Sequence, residues 1–185
     1  MMLIRRHPLN AWLIVALMAM GPLALADTGT NEQSTSQSFQ ISARVEPGCI
    51  LGGGAADTTN FGTIDFGRLG QLAADIKVAS SSGNGSVMLQ CTPDTPITIA
   101  IDAGLHGSGG TRYLAKGNET LRYQLYQDEA FSVVWGDNRG TGTALSMTFP
   151  STGVQTLPIY ARLFRETTLP SAGIYTDVVT VTVTY

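Results

Sequence analysis

The chain has 185 residues, 43% of them hydrophobic, and a formal net charge of −3 at pH 7. That length suits one domain with a sizeable core. The acidic balance argues against nucleic acid or an anionic membrane surface as partner.

Residues 1–26 have the layout of a secretory signal peptide. Arg5, Arg6 and His7 form a basic start, residues 11–20 an apolar stretch, Pro22 a break, and Ala24-Leu25-Ala26 a small-residue cleavage site. The apolar run is too short for a membrane span. A lone Arg5-Arg6 pair does not define twin-arginine export, so the general secretory route is the expectation. No cysteine follows the cleavage site, so no lipid anchor is expected, and the exported chain is expected to be soluble. Loss of Arg5 and Arg6 leaves nine Lys+Arg against fourteen Asp+Glu, a net charge of −5.

Residues 27–38 form a polar leader with no large apolar side chain, and such a segment has nothing to bury. A strand is predicted over 39–45, with Phe39, Ile41, Ala43 and Val45 on one face and Gln40, Ser42 and Arg44 on the other. Glu46-Pro47-Gly48 breaks it ahead of Cys49. After a glycine-rich loop at 52–54, a short strand is predicted over 61–67. Further strands are predicted over 74–79, 86–91 and 97–102. Within 86–91, Val87, Leu89 and Cys91 share the inner face.

The stretch 104–110 reads as a glycine-dense loop ending at Tyr113-Leu114. A strand over 121–126 should turn Leu121, Tyr123 and Leu125 inward. Residues 135–140 make a turn, and strands follow over 144–149 and 155–164. The run 175–185 alternates strictly: Val179, Val181, Val183 and Tyr185 on one side, Thr180, Thr182 and Thr184 on the other. Short strands between Gly, Pro and Asn turns indicate a β-sandwich. Cys49 and Cys91 are the only cysteines of an exported chain, and a disulfide between them is expected. Closing a loop of roughly 40 residues contributes about 4 kcal/mol on the chain-entropy view.

Catalytic and metal chemistry find little support. His106 is the one histidine of the exported chain, and a zinc or copper site needs several His or Cys ligands. A Ser-His-Asp arrangement would need His106 and an oriented carboxylate, without a G-x-S-x-G element to supply the serine. Asp128 and Glu129 are adjacent, so on a strand they would point apart. The Gly107–Gly110 run lacks the Lys-Ser/Thr ending of a phosphate loop, and no D-x-D-x-D spacing marks calcium. Tyr113, Tyr123, Tyr126 and Trp135 could line a sugar site but fit packing better. No enzyme, cofactor or metal is expected.

Three blocks carry a family resemblance: Val87-Met-Leu-Gln-Cys91 with the following Thr-Pro-Asp-Thr-Pro turn and strand to Gly104; Leu121-Arg-Tyr-Gln-Leu-Tyr126 with Val134-Trp-Gly-Asp137; and Gly173-Ile-Tyr-Thr-Asp177 with the terminal Val/Thr run. Together with Cys49 they resemble the spore coat protein U domain family, which includes the pilins of archaic (Csu-type) chaperone–usher pili. Ala161 stands where the family often has Gly, and Leu163-Phe164-Arg165 is bulkier than usual.

The resemblance implies an immunoglobulin-like sandwich over 46–185 that lacks its final strand. It also implies a groove bordered by Val179, Val181, Val183 and Tyr185. A periplasmic chaperone, gripping the terminal carboxylate with basic residues, would fill the groove first. At the outer-membrane usher the 39–45 strand of a neighbouring pilin, with Phe39, Ile41, Ala43 and Val45 as plugs, would replace it. The implied product is a cell-surface pilus serving adhesion and biofilm formation, reached through the periplasm. With one domain, the chain fits a shaft or minor subunit. The alternatives are a self-complete secreted binding module using Tyr113, Tyr126 or Trp135, and a coat or matrix protein of the same fold.

Overall fold

The structure is a computed structural model that describes residues 34–185 except 55, 56, 58, 59, 151, 152 and 169. The expected signal peptide over residues 1–26 and residues 27–33 of the expected leader lie outside the described residues. The chain divides into two units, Met1–Ala43 and Arg44–Tyr185. In the first, residues 34–43 are exposed and without secondary structure.

The second unit is all β. Its strands are β1 (Cys49–Leu51), β2 (Ile76–Ala79), β3 (Val87–Cys91), β4 (Pro96–Ile101), β5 (Arg112–Lys116), β6 (Glu119–Tyr126), β7 (Leu145–Thr148), β8 (Gln155–Leu157), β9 (Tyr160–Leu163) and β10 (Val181–Thr184). Among the described residues no helix is long and apolar enough to cross a membrane. Three antiparallel sheets form, ordered β1-β3-β8, β10-β4-β7 and β2-β9-β6-β5. None closes on itself, so the fold is an open, immunoglobulin-like sandwich.

Period-2 alternation decides which side chains are inside. Val87, Leu89 and Cys91 of β3, Ile97, Ile99 and Ile101 of β4, and Leu121, Tyr123 and Leu125 of β6 are all buried in one core. Trp135 and Phe149 complete it, and the Trp135 indole N–H donates to the Ile99 carbonyl at 3.0 Å.

Several predicted elements come out differently. Residues 39–45 form no strand: Phe39, Ile41 and Val45 are 84%, 83% and 81% exposed, and among the described residues no strand pairs with them. Residues 61–67 are a packed loop. The Asn60 and Asp65 carboxamide and carboxylate oxygens accept from the Gly62 and Gly67 amides, which competes with sheet pairing. Gly62 sits at φ +93°, and a Cβ there would lie 2.0 Å from the Gly83 carbonyl oxygen. Phe61, Ile64 and Phe66 still pack on the core from this loop.

The single strand expected over 155–164 is two. Pro158 has no N–H for a ladder, and the chain steps from the sheet of β3 to the sheet of β2 and β6. Ile159 is buried at the step, its amide donating to the Ser80 hydroxyl at 2.7 Å. Two strands were unforeseen: β1, and β5, which turns into β6 through Gly117-Asn118.

Candidate functional site: the open edge beside the C-terminal strand

β10 pairs with β4 on one side, Val181 opposite Ile101 and Thr184 opposite Thr98, and ends its sheet on the other. A run of unpaired main-chain donors and acceptors is thereby left along one edge. Val179, Val181 and Val183 are half-buried against the core, as the alternation requires. Tyr185, expected in the same row, is 60% exposed. With Thr184 it borders a shallow depression that also takes in Ile97, Thr98, Ser146 and Met147.

Two carboxylates fix the start of this strand. Asp102, at the end of β4, accepts from the Gly104 and Thr180 amides, each at 2.9 Å, and its own amide donates to the Thr180 carbonyl at 3.0 Å. Asp177 has a side chain only 1% exposed. It accepts from the Tyr123 hydroxyl at 2.7 Å and the His106 amide at 3.2 Å, and its Oδ1 lies 2.9 Å from His106 Nδ1. Burial first, and then the hydrogen bond to Asp177, push the Tyr123 phenol above its ordinary range, so it remains a donor. Gly104 sits at φ +80°, and a Cβ there would lie 2.1 Å from Asp177 Oδ2. The carboxylate therefore occupies space that only glycine leaves open.

His106 thus has the oriented carboxylate that a triad requires, and the imidazole bonds to no hydroxyl or thiol among the described residues. The pair fastens a loop to a strand. Cys49 and Cys91 form a disulfide that ties β1 to β3. Among the described residues no three His, Cys, Asp or Glu side chains group as metal ligands. Trp135 and Tyr126 are buried, which removes them from any sugar site.

Two further clusters were not foreseen. Lys116, Glu119, Ser171 and Tyr175 interlock: Glu119 accepts from the Ser171 and Tyr175 hydroxyls and pairs with Lys116 at 2.9 Å. Those bonds, Ser171's first, hold the Glu119 carboxyl down at about 2. Arg112, fully buried, donates to the carbonyls of Ile101, Asp102 and Trp135 and to the Gln124 side chain. No sequence pattern marks that arginine as internal. The Gly-Asn dipeptide between two strand-like runs does mark the β5–β6 hairpin that carries Lys116 and Glu119.

The architecture and site define an all-β domain with one strand edge left open beside its C-terminal run. The chain belongs to the spore coat protein U domain family, which matches residues 35–182. It is similar to Protein U of Myxococcus xanthus, 29% identical over 181 residues and 92% of each chain. Among solved structures it is similar to the CsuC–CsuE chaperone–tip adhesion subunit pre-assembly complex from archaic chaperone–usher Csu pili of Acinetobacter baumannii. There the identity is 25% and the TM-score 0.47, over 76% of this chain and 40% of that one. It is also similar to the P pilus rod subunit PapA, with 18% identity and a TM-score of 0.48 over 74% of this chain and 98% of that one.

Proposed function

We propose that the chain is a structural subunit of a chaperone–usher surface pilus and polymerises by donor-strand exchange. A neighbour's residues 39–45 add to the free edge of β10, with Phe39, Ile41, Ala43 and Val45 facing the half-covered Val179, Val181 and Val183. The observation that carries this reading is a pair of features unmatched among the described residues: an exposed alternating apolar run with no strand partner, and an alternating strand with one edge unpaired. β-augmentation is the recognition mode that matches one to the other. Family membership supports it, since the family includes such pilins.

The size of the effect fits a tight join. Burying Phe39, Ile41 and Val45 at about 2 kcal/mol each gives roughly 6 kcal/mol before any main-chain hydrogen bonds. Before assembly the same edge is an aggregation hazard, which is the physical reason for a periplasmic chaperone as first partner and an outer-membrane usher as the place of exchange. Signal-directed export to the periplasm, then display on the cell surface for adhesion and biofilm formation, completes the reading.

The test is Ile41→Asp, which would set a charge in the neighbour's apolar row at a cost of several kcal/mol. The chaperone-bound subunit should be recovered at wild-type yield, and fibres should be absent by electron microscopy. Loss of the chaperone complex together with continued polymerisation would refute the exchange assignment. Deleting residues 181–185 should abolish co-purification with the chaperone, and retained binding at unchanged affinity would refute the role of β10.

A further inference from the structure

The outer face of the β2-β9-β6-β5 sheet gathers Lys77, Arg122 and Arg162, of which Arg162 alone has an acidic partner among the described residues. Register places Lys77 opposite Arg162 and Arg162 opposite Gln124, with Tyr160 opposite Tyr126 two positions along. The inward partners Val78, Ala161, Leu163, Tyr123 and Leu125 belong to the core, so Lys77, Arg162, Arg122 and Tyr160 face outward. The Phe164 amide donates to the Arg122 carbonyl, which extends the same surface by one more aromatic ring.

The rings hold the cations in place. The Arg122 guanidinium carbon lies 4.2 Å from the Phe164 ring centre and that of Arg162 4.7 Å. Lys77 Nζ lies 4.4 Å from the centre of Phe131, which meets Tyr126 and Tyr160 edge-on at 5.3 and 6.1 Å. Phe131 is held at φ +58°, an unfavourable conformation for a bulky side chain. Asp128 keeps it there, turning both carboxylate oxygens back onto the Ser132 and Val133 amides and the Ser132 hydroxyl. The Asp128 carboxylate is therefore spent inside its own turn, while Glu129, two residues before Phe131, is exposed. Asp75 is spent likewise, on Arg162 and the Arg165 amide. Among the described residues, Arg122 and Lys77 have no acidic partner.

We propose that this face binds a linear polyanionic polysaccharide, with Arg122 and Lys77 holding successive carboxylate or sulfate groups and the rims of Phe131 and Tyr160 packing against the sugar C–H surfaces. A guanidinium stacked on a ring uses its flat face and keeps its in-plane N–H donors free for a bidentate anion. Arg122 and Lys77 stand on strands separated by β9, hence about 10 Å apart across the sheet. One small anion cannot span that distance, whereas one polymer with a charge on each repeat can. The attraction reaches only about 8 Å at physiological salt. A thin chain crossing this face can keep to Lys77 and Arg122, whereas a broad membrane or a nucleic-acid duplex would also press on the acidic remainder. The proposal does not depend on strand exchange.

The test uses the exported chain in the chaperone-bound or assembled form in which it is isolated. Binding to immobilised heparin, alginate and dextran, and to phosphatidylglycerol vesicles, is compared for wild type, Lys77→Gln, Arg122→Lys and Lys77→Gln/Arg122→Gln. Wild type should bind heparin, alginate or both, release with rising salt, and ignore dextran; which polymer binds identifies sulfate or carboxylate as the group recognised. The double variant should bind roughly tenfold or more weakly at an unchanged melting temperature, with Arg122→Lys intermediate. Lys77→Gln alters only an exposed side chain and secures the comparison should the double variant fold poorly. Wild-type affinity in Lys77→Gln and the double variant, equal retention on dextran, binding to vesicles without either polyanion, or no binding at low salt would each overturn the assignment.

Discussion

The two ends of the chain carry the same sequence pattern and meet different fates. Phe39, Ile41, Ala43 and Val45 alternate as regularly as Val179, Val181 and Val183, yet the first set stands in solvent and the second lies half-buried on the core. The difference lies in what flanks them. The C-terminal run is fastened before it starts, by Asp177 on Tyr123 and His106 and by Asp102 on Thr180. The N-terminal run is followed by Glu46-Pro47-Gly48, and the first strand after it is three residues long. Alternation gives a segment the capacity to be a strand, and anchors decide whether it becomes one within its own chain.

The largest expected disturbance of that contrast is Cys91→Ser. The disulfide marks where free chain becomes fixed chain, so its loss should cost about 2–5 kcal/mol and extend exchange-labile backbone from the N-terminal run through β1. Denaturant unfolding and hydrogen exchange of residues 46–52 check this, and an unchanged midpoint contradicts it. Next comes Asp177→Ala, which strips a buried phenol of its acceptor and should cost about 1–3 kcal/mol. Amides of residues 178–184 should then exchange faster while those of β6 stay protected.

A smaller effect concerns the loop at 171–175. The Glu119 carboxyl is held at about 2, below its ordinary 4.5, so the stabilisation it lends is complete above pH 4.5 and is lost as pH falls through about 2. Glu119→Gln should remove that acid-dependent step in loop exchange and leave global melting at neutral pH nearly unmoved. The smallest is Ile41→Asp measured on the single subunit, where no fold stability should change beyond about 0.5 kcal/mol, because the side chain is almost wholly exposed there.

Much of the sandwich was legible because β-strands with one buried face advertise themselves. The inward rows of β3, β4 and β6 follow directly from alternation, and the Cys49–Cys91 bridge from the expected export and the cysteine count. What escaped depended on long-range partners. The split at Pro158 requires knowing that two sheets lie within reach of one segment. The anchoring of Asp177 requires Tyr123, 54 residues earlier, and a glycine at 104 to leave room. Residues 61–67 look like a strand by composition, but side-chain oxygens at 60 and 65 claim the amides a ladder would use.

Arg112 carries a consequence for how this fold tolerates change. Its guanidinium stays charged in the interior although burial works against it, and three of its acceptors are main-chain carbonyls. In effect the protein has folded up a fragment of a hydration shell and made it from peptide groups. Because every residue type supplies the same carbonyl, substitutions at positions 101 and 135 that keep the backbone path leave this shell whole. Gln124 is the one member that a single side-chain change can delete. The charge is thus buffered against sequence drift on most sides and exposed to it on one.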